Sequence, residues 1–90
     1  MNQSIEADKT LDARGWSCAW CILKAKSELK SMKRGEVLEV LFTDPMTVED
    51  FPNVVCQSGH QLVHIEEESW FSRLYVRRED TKKRNGIATN

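Results

Sequence analysis

At 90 residues, 40% hydrophobic and 30% charged, the chain has the make-up of one small globular domain. A formal net charge of -1 gives no bulk attraction for nucleic acid, and no apolar run reaches the length of a membrane span. Three cysteines are an odd number, so a complete disulfide framework is not expected, and reactivity or burial is the use to look for in each thiol.

Residues Met1 to Asp8 are polar and lack a signal-peptide core, which reads as a loose lead-in to a cytoplasmic domain. Lys9 to Ala13 alternates and predicts a short strand with Leu11 and Ala13 facing inward. Arg14-Gly15-Trp16-Ser17 is a turn, with Ser17 placed to cap a helix over Ala19 to Arg34. The spacing of Ile22, Ala25, Leu29 and Met32 marks its inward stripe, with Leu23 beside it. Lys33 and Arg34 then fall in its last turn and Gly35 ends it. Glu36 to Thr43 is nearly all apolar and predicts a central strand.

Asp44-Pro45 opens a second helix, with Asp44 as cap and Pro45 in the first position, where a missing N–H costs nothing. Val48, Phe51 and Val55 share one of its faces. Pro52 either bends this helix or marks a late start, and Gly59 ends it. His60 to Ile65 predicts a third strand, Glu66 to Ser69 a polar turn, and Trp70 to Arg77 a fourth strand with Trp70, Leu74 and Val76 on one face. Residues 9–77 thus form the domain, and 78–90 a polar tail. The tail's run from Arg77 to Arg84 is either solvated or a weak electrostatic docking segment. The order strand-helix-strand-helix-strand-strand predicts a two-layer α/β sandwich of the α+β kind, a four-stranded mixed sheet with both helices on one face. The carboxyl ends of the first two strands then bring the Gly15 to Cys18 turn next to Thr43-Asp44-Pro45.

That edge holds the candidate chemistry. Cys18 lies in the first helical turn, where backbone N–H groups lack helical partners and the dipole is positive, so its thiol is expected to ionise more readily than that of Cys56. Cys21, three residues on, shares a face with Cys18 and is either a resolving thiol or a small packed hydrophobe. Asp44 caps the second helix and also lines the site, where it would oppose thiolate formation or receive a partner's charge, and Arg14 either steadies an anion on Cys18 or is a solvated turn residue. Gly15 supplies the turn's backbone freedom. Trp16 and Trp20 flank the thiol as a docking surface, unless one packs inward, a role that suits Trp70 better. Cys56 and His60 lie at the opposite edge of the sheet from Cys18, and His60 and His64 read as ordinary strand or turn residues, so no metal site is expected.

The stretch Leu11-Asp12-Ala13-Arg14-Gly15-Trp16-Ser17-Cys18, followed by Ile22-Leu23-Lys24-Ala25-Lys26, resembles the opening of the TusA/SirA family of small sulfur carriers. Gly35-Glu36-Val37-Leu38-Glu39-Val40, Thr43-Asp44-Pro45, Asp50-Phe51-Pro52 and Gly59-His60 continue the resemblance at similar spacing. It implies a cysteine, here Cys18, that carries sulfane sulfur as a persulfide between a donor, such as a cysteine desulfurase or rhodanese-like protein, and an acceptor protein. It implies a carrier, not a turnover enzyme, serving tRNA thiolation, molybdenum cofactor assembly or sulfur metabolism. No cofactor is expected beyond the transient covalent sulfur, and no direct nucleic-acid or membrane partner; the expected state is a monomer.

The family's Cys-Pro-x-Pro signature is altered, with Ala19 and Cys21 in the two proline positions. That change restores two N–H donors and adds a thiol. A Cys21 thiolate that attacked the inner sulfur of a Cys18 persulfide would release sulfide and make the carrier leaky. Two other readings follow from the same residues: a Cys18/Cys21 dithiol-disulfide redox protein, and a non-catalytic module that binds a partner through Trp16 and Trp20.

Overall fold

The computed structural model describes residues 6–79. Its elements run β1 (Lys9–Ala13), α1 (Cys18–Ser31), β2 (Val37–Phe42), α2 (Pro45–Gln57), β3 (Gln61–Glu67) and β4 (Ser72–Arg77). The four strands form one sheet in the order β1-β2-β4-β3. β1 and β2 are parallel, with Leu11 opposite Val40 and Ala13 opposite Phe42. β4 is inserted antiparallel between β2 and β3. This is the expected mixed sheet, and both helices cover one of its faces.

Alternation decides which face. Leu38, Val40 and Phe42 of β2 point to the helices, as do Leu74 and Val76 of β4 and Ala13 of β1. Against them pack Cys21, Ala25, Leu29 and Met32 from the first helical segment and Phe51 and Val55 from α2. The α1 stripe is therefore turned slightly from the expected one. Cys21 heads it, Ile22 is only half-buried, and Leu23 is 56% exposed. On the helix-free face, Glu39 accepts hydrogen bonds from Thr10 (2.8 Å), Arg73 (2.9 Å) and Tyr75 (3.1 Å). A half-buried carboxylate in the middle of a sheet needs such partners, because burying it bare would be costly.

The helix ends are set by specific contacts. The Ser17 hydroxyl accepts the Trp20 N–H at 3.3 Å, as the sequence predicts for an N-cap. α1 stops at Ser31, three residues earlier than expected, with Met32 as its C-cap. Lys33 and Arg34 therefore lie outside it. Its last carbonyls, on Lys30 and Met32, instead accept hydrogen bonds from the Arg78 guanidinium. A cation there suits the helix dipole, and it ties the residue after β4 to the helical layer. α2 runs unbroken through Pro52, whose lack of an N–H leaves the turn before it one hydrogen bond short. At its end the His60 N–H donates to the Val55 carbonyl (3.1 Å) and the Gly59 N–H to that of Cys56 (3.1 Å). This Schellman pattern requires a left-handed residue, and Gly59 supplies it with φ 83°.

Two strand expectations need correction. β3 extends through Glu66 and Glu67, where the sequence predicts a turn. β4 begins at Ser72, so Trp70 is not part of it. Trp70 is 65% exposed and does not join the core; it stacks edge-on against Phe71 in the hairpin loop. The physical reason lies in register: Ser72 already pairs with Phe42, the last residue of β2, so no sheet remains for Trp70 to cover. No helix among the described residues is long and apolar enough to cross a membrane. The expectations for the first five residues and for the basic run beyond Glu79 lie outside the described residues.

Candidate functional site

The turn after β1 and the turn after β2 meet, as the parallel pairing requires. The Gly15 N–H donates to the Thr43 hydroxyl at 2.9 Å, and Gly15 has φ 85°, in the region where a side chain would strain the turn. One carboxylate then joins the two helix starts. Asp44 Oδ1 accepts the Met46 N–H and Oδ2 accepts the Cys18 N–H, both at 2.9 Å. Asp44 thus caps α2 and at the same time holds the first residue of α1.

Cys18 is half-buried at this junction, with a free thiol. Its Sγ–H donates to Asp50 Oδ2 at 3.7 Å, within the longer reach of sulfur. The expected depression of its pKa is not what these surroundings produce. Burial of the sulfur is the largest influence and pushes the thiol up; the Asp50 and Asp44 carboxylates add to it, and the Thr47 hydroxyl pulls the other way. The helix dipole does not lower it, because the positive end of α1 is already occupied. Its Cys18 N–H is spent on Asp44 and its Trp20 N–H on Ser17, and Asp44 brings a full negative charge to the spot.

Cys21 is fully buried in the core cluster. Burial, with the nearby Cys18 and Asp44, pushes its thiol up to about 11. Of the two readings of Cys21, packing fits this environment and a resolving thiol does not, because attack needs both a thiolate and a path to the disulfide or persulfide. The Cys21 N–H donates to the Ser17 carbonyl at 2.9 Å and closes the first helical turn.

Arg14 does not serve Cys18. Its Nε and Nη2 grip Asp12 at 2.8 and 2.7 Å, and its guanidinium lies over the Trp70 and Phe71 rings at 5.1 and 5.3 Å. The paired guanidinium holds the Asp12 carboxyl at about 2, below the usual carboxylate range. Asp12 alternates with the inward Leu11 and Ala13, so this cluster sits on the helix-free side of the sheet. Trp16 and Trp20 divide the roles that the sequence left open. Trp16 packs against the core, and Trp20 rests edge-on against it at 6.3 Å while remaining 48% exposed. Leu23, exposed on the next turn of α1, extends the apolar surface of Trp20.

Cys56 is exposed in the last turn of α2, some 18 Å along the helix from Asp44 at the usual rise per residue. The His60 ring accepts the Glu79 N–H at 3.0 Å, and His64 lies beside Tyr75. Among the described residues no three His, Cys, Asp or Glu side chains stand together to hold a metal ion.

Thr47 and Asp50 were missed at the sequence level. The signal was present in the spacing of Asp44, Thr47 and Asp50, which at steps of three share a face of α2 with its cap.

A family model described as "Sulfurtransferase TusA" matches residues 9–78. The sulfur carrier protein TusA of Allochromatium vinosum is 44% identical over 61 residues, which cover 68% of this chain and 80% of that protein. Among solved structures, a SirA-like protein from Desulfitobacterium hafniense superposes with a TM-score of 0.68, covering 79% of this chain and 97% of that one. At 21% identity this neighbour bears on the fold alone.

Proposed function

The chain belongs to the TusA family, and from that premise we propose that it is a sulfur carrier whose Cys18 takes sulfane sulfur from a donor protein and hands it on to an acceptor. The observation that carries this reading is the setting of Cys18. It is a free, half-exposed thiol at the joint of two helix starts, in a family whose curated relative is named as a sulfur carrier. The chemistry asks little else of the protein. A thiolate attacks the outer sulfur of the donor's persulfide, the donor's sulfur–sulfur bond breaks, and the sulfur leaves on Cys18. An acceptor thiolate reverses the process. Donors of the cysteine desulfurase or rhodanese-like type fit this exchange.

A carrier of this kind needs a docking surface more than a pocket. Exposed Trp20 and Leu23 supply apolar area one turn beyond the sulfur, and Trp16 backs Trp20 from below. Because the surroundings push the Cys18 thiol up, its thiolate fraction rises with pH across the neutral and mildly alkaline range, and sulfur loading should accelerate in step.

Incubation with a persulfide-bearing donor, followed by intact mass spectrometry, tests the proposal. The expected result is a gain of one sulfur, lost again when an acceptor thiol is added. A loss of two hydrogens would favour the dithiol-disulfide reading, and an unchanged mass the partner-binding module. The buried Cys21 weighs against the former.

A further inference from the structure

The hydroxyl of Thr47 is buried completely and has no hydrogen-bond partner among the described residues. That is a costly arrangement for a polar group, and threonine has an apolar isostere in valine that would avoid it. Its position supplies a use. Cys18 touches α2 twice, through its N–H at Asp44 and through its sulfur at Asp50. Thr47 lies between these two contacts, one step of three residues from each, on the same face of the helix.

We propose that Thr47 and Asp50 act as a donor–acceptor pair on the Cys18 sulfur: Asp50 accepts the thiol proton, and the Thr47 hydroxyl donates a hydrogen bond to the sulfur anion that remains. The proposal rests on the reading of Cys18 as the sulfur carrier. In the neutral thiol the hydroxyl is left over. In the anion it gains a charge-assisted partner, which is where such a bond is strongest. The Thr47 hydroxyl already acts in this direction, since it favours the anion while burial and the two carboxylates oppose it.

The loading step then balances. The Cys18 thiol gives its proton to the Asp50 carboxylate. The sulfur anion, held by Thr47, attacks the outer sulfur of the donor's persulfide. A new sulfur–sulfur bond forms on Cys18 as the donor's bond breaks. The departing donor thiolate takes the proton from Asp50, which restores the carboxylate. Sulfane sulfur changes owner and no external oxidant or reductant is needed. The charged and titratable groups that face the sulfur are Asp44 and Asp50 from α2 and Cys21 from its own helix. Arg14 is engaged elsewhere.

The test is the pH profile of iodoacetamide alkylation at Cys18, mapped by mass spectrometry on the full chain, for the parent and three variants. Thr47→Val should shift the midpoint upward by about one pH unit, a tenfold loss of thiolate on the acid side. Thr47→Ser should keep the parent profile. Asp50→Asn removes a negative charge beside the sulfur and should shift the midpoint down. A Thr47→Val profile that superposes on the parent would overturn the pair, and so would a downward shift. Valine removes an unsatisfied hydroxyl, so loss of folding does not cloud the result.

Sulfur loading from a persulfide donor, measured beside the alkylation, separates the two claims. If Thr47→Val shifts the profile but the parent gains no sulfur, the pair stands and the carrier reading fails. If the parent loads sulfur and the profiles superpose, the carrier reading stands and the pair fails.

Discussion

Cys18→Ser will abolish sulfur loading, although two other thiols remain in the chain. Cys21 cannot substitute, because it is fully buried and its thiol is pushed up to about 11. At neutral pH that leaves on the order of one part in ten thousand as thiolate, with no route to a donor. Cys56 is exposed, but it lies at the far end of α2 from the junction that Asp44 makes with Cys18. A donor docked on Trp20 and Leu23 would not reach it. Serine keeps the size of the residue and its N–H bond to Asp44, so the fold should be preserved. Intact mass after donor treatment reads the outcome. The expected signal is that of the untreated protein; loading at even half the parent's level would move the carrier role to another thiol.

The second large effect concerns stability, and through it the site. Phe51 is buried at 1% exposure and is among the largest fully buried side chains. Phe51→Ala should cost about 3–5 kcal/mol. A domain of this size has about 5–15 kcal/mol in all, so a large share of the folded state's margin would go. α2 packs into the core chiefly through Phe51 and Val55, with Val48 beside them, and the same helix carries Asp44 and Asp50 to Cys18. Loosening α2 therefore disturbs the site as well as the core. Urea unfolding would show the loss of stability, and Cys21, shielded in the parent, should become open to alkylation. An unchanged unfolding midpoint would mean that α2 is not held by this contact.

The fold was largely legible because its signals are redundant. Ser17 and Asp44 mark the helix starts and do cap them, and Leu38, Val40 and Phe42 mark a strand that faces helices. The end of α1 was not legible. It depends on Arg78, 46 residues beyond Met32 in sequence, and local charge pointed instead to Lys33 and Arg34. Trp70 was misread for a similar reason. Hydrophobicity placed it inside, yet β2 ends opposite Ser72 and leaves nothing for it to cover. Its ring is used by Arg14, a long-range pairing with no mark in either segment.

The site divided along the same line. The meeting of the Gly15 turn with Thr43 and Asp44 followed from parallel strand topology, and it is there. The electrostatics followed only in part: Asp44 stands beside Cys18 and opposes its anion, as its place in the sequence implies, but burial of the sulfur and the Asp50 carboxylate further along α2 also push the thiol up, and a helix start read alone shows neither. Cys21 shows the limit of motif reading. Its spacing from Cys18 suggests a redox pair, but one turn further along α1 the second thiol is fully buried in the core. Cys21 is therefore part of the packing, and its N–H closes the first turn.

That Cys18 carries sulfur alone is tested most directly by the lifetime of its persulfide. The parent and a Cys21→Ser variant would be loaded from a donor, freed of it, and followed by site-resolved mass spectrometry together with sulfide release. The expected result is one sulfur, on Cys18, decaying at the same rate in both proteins. Faster decay in the parent, with sulfide released and a Cys18–Cys21 disulfide formed, would contradict it.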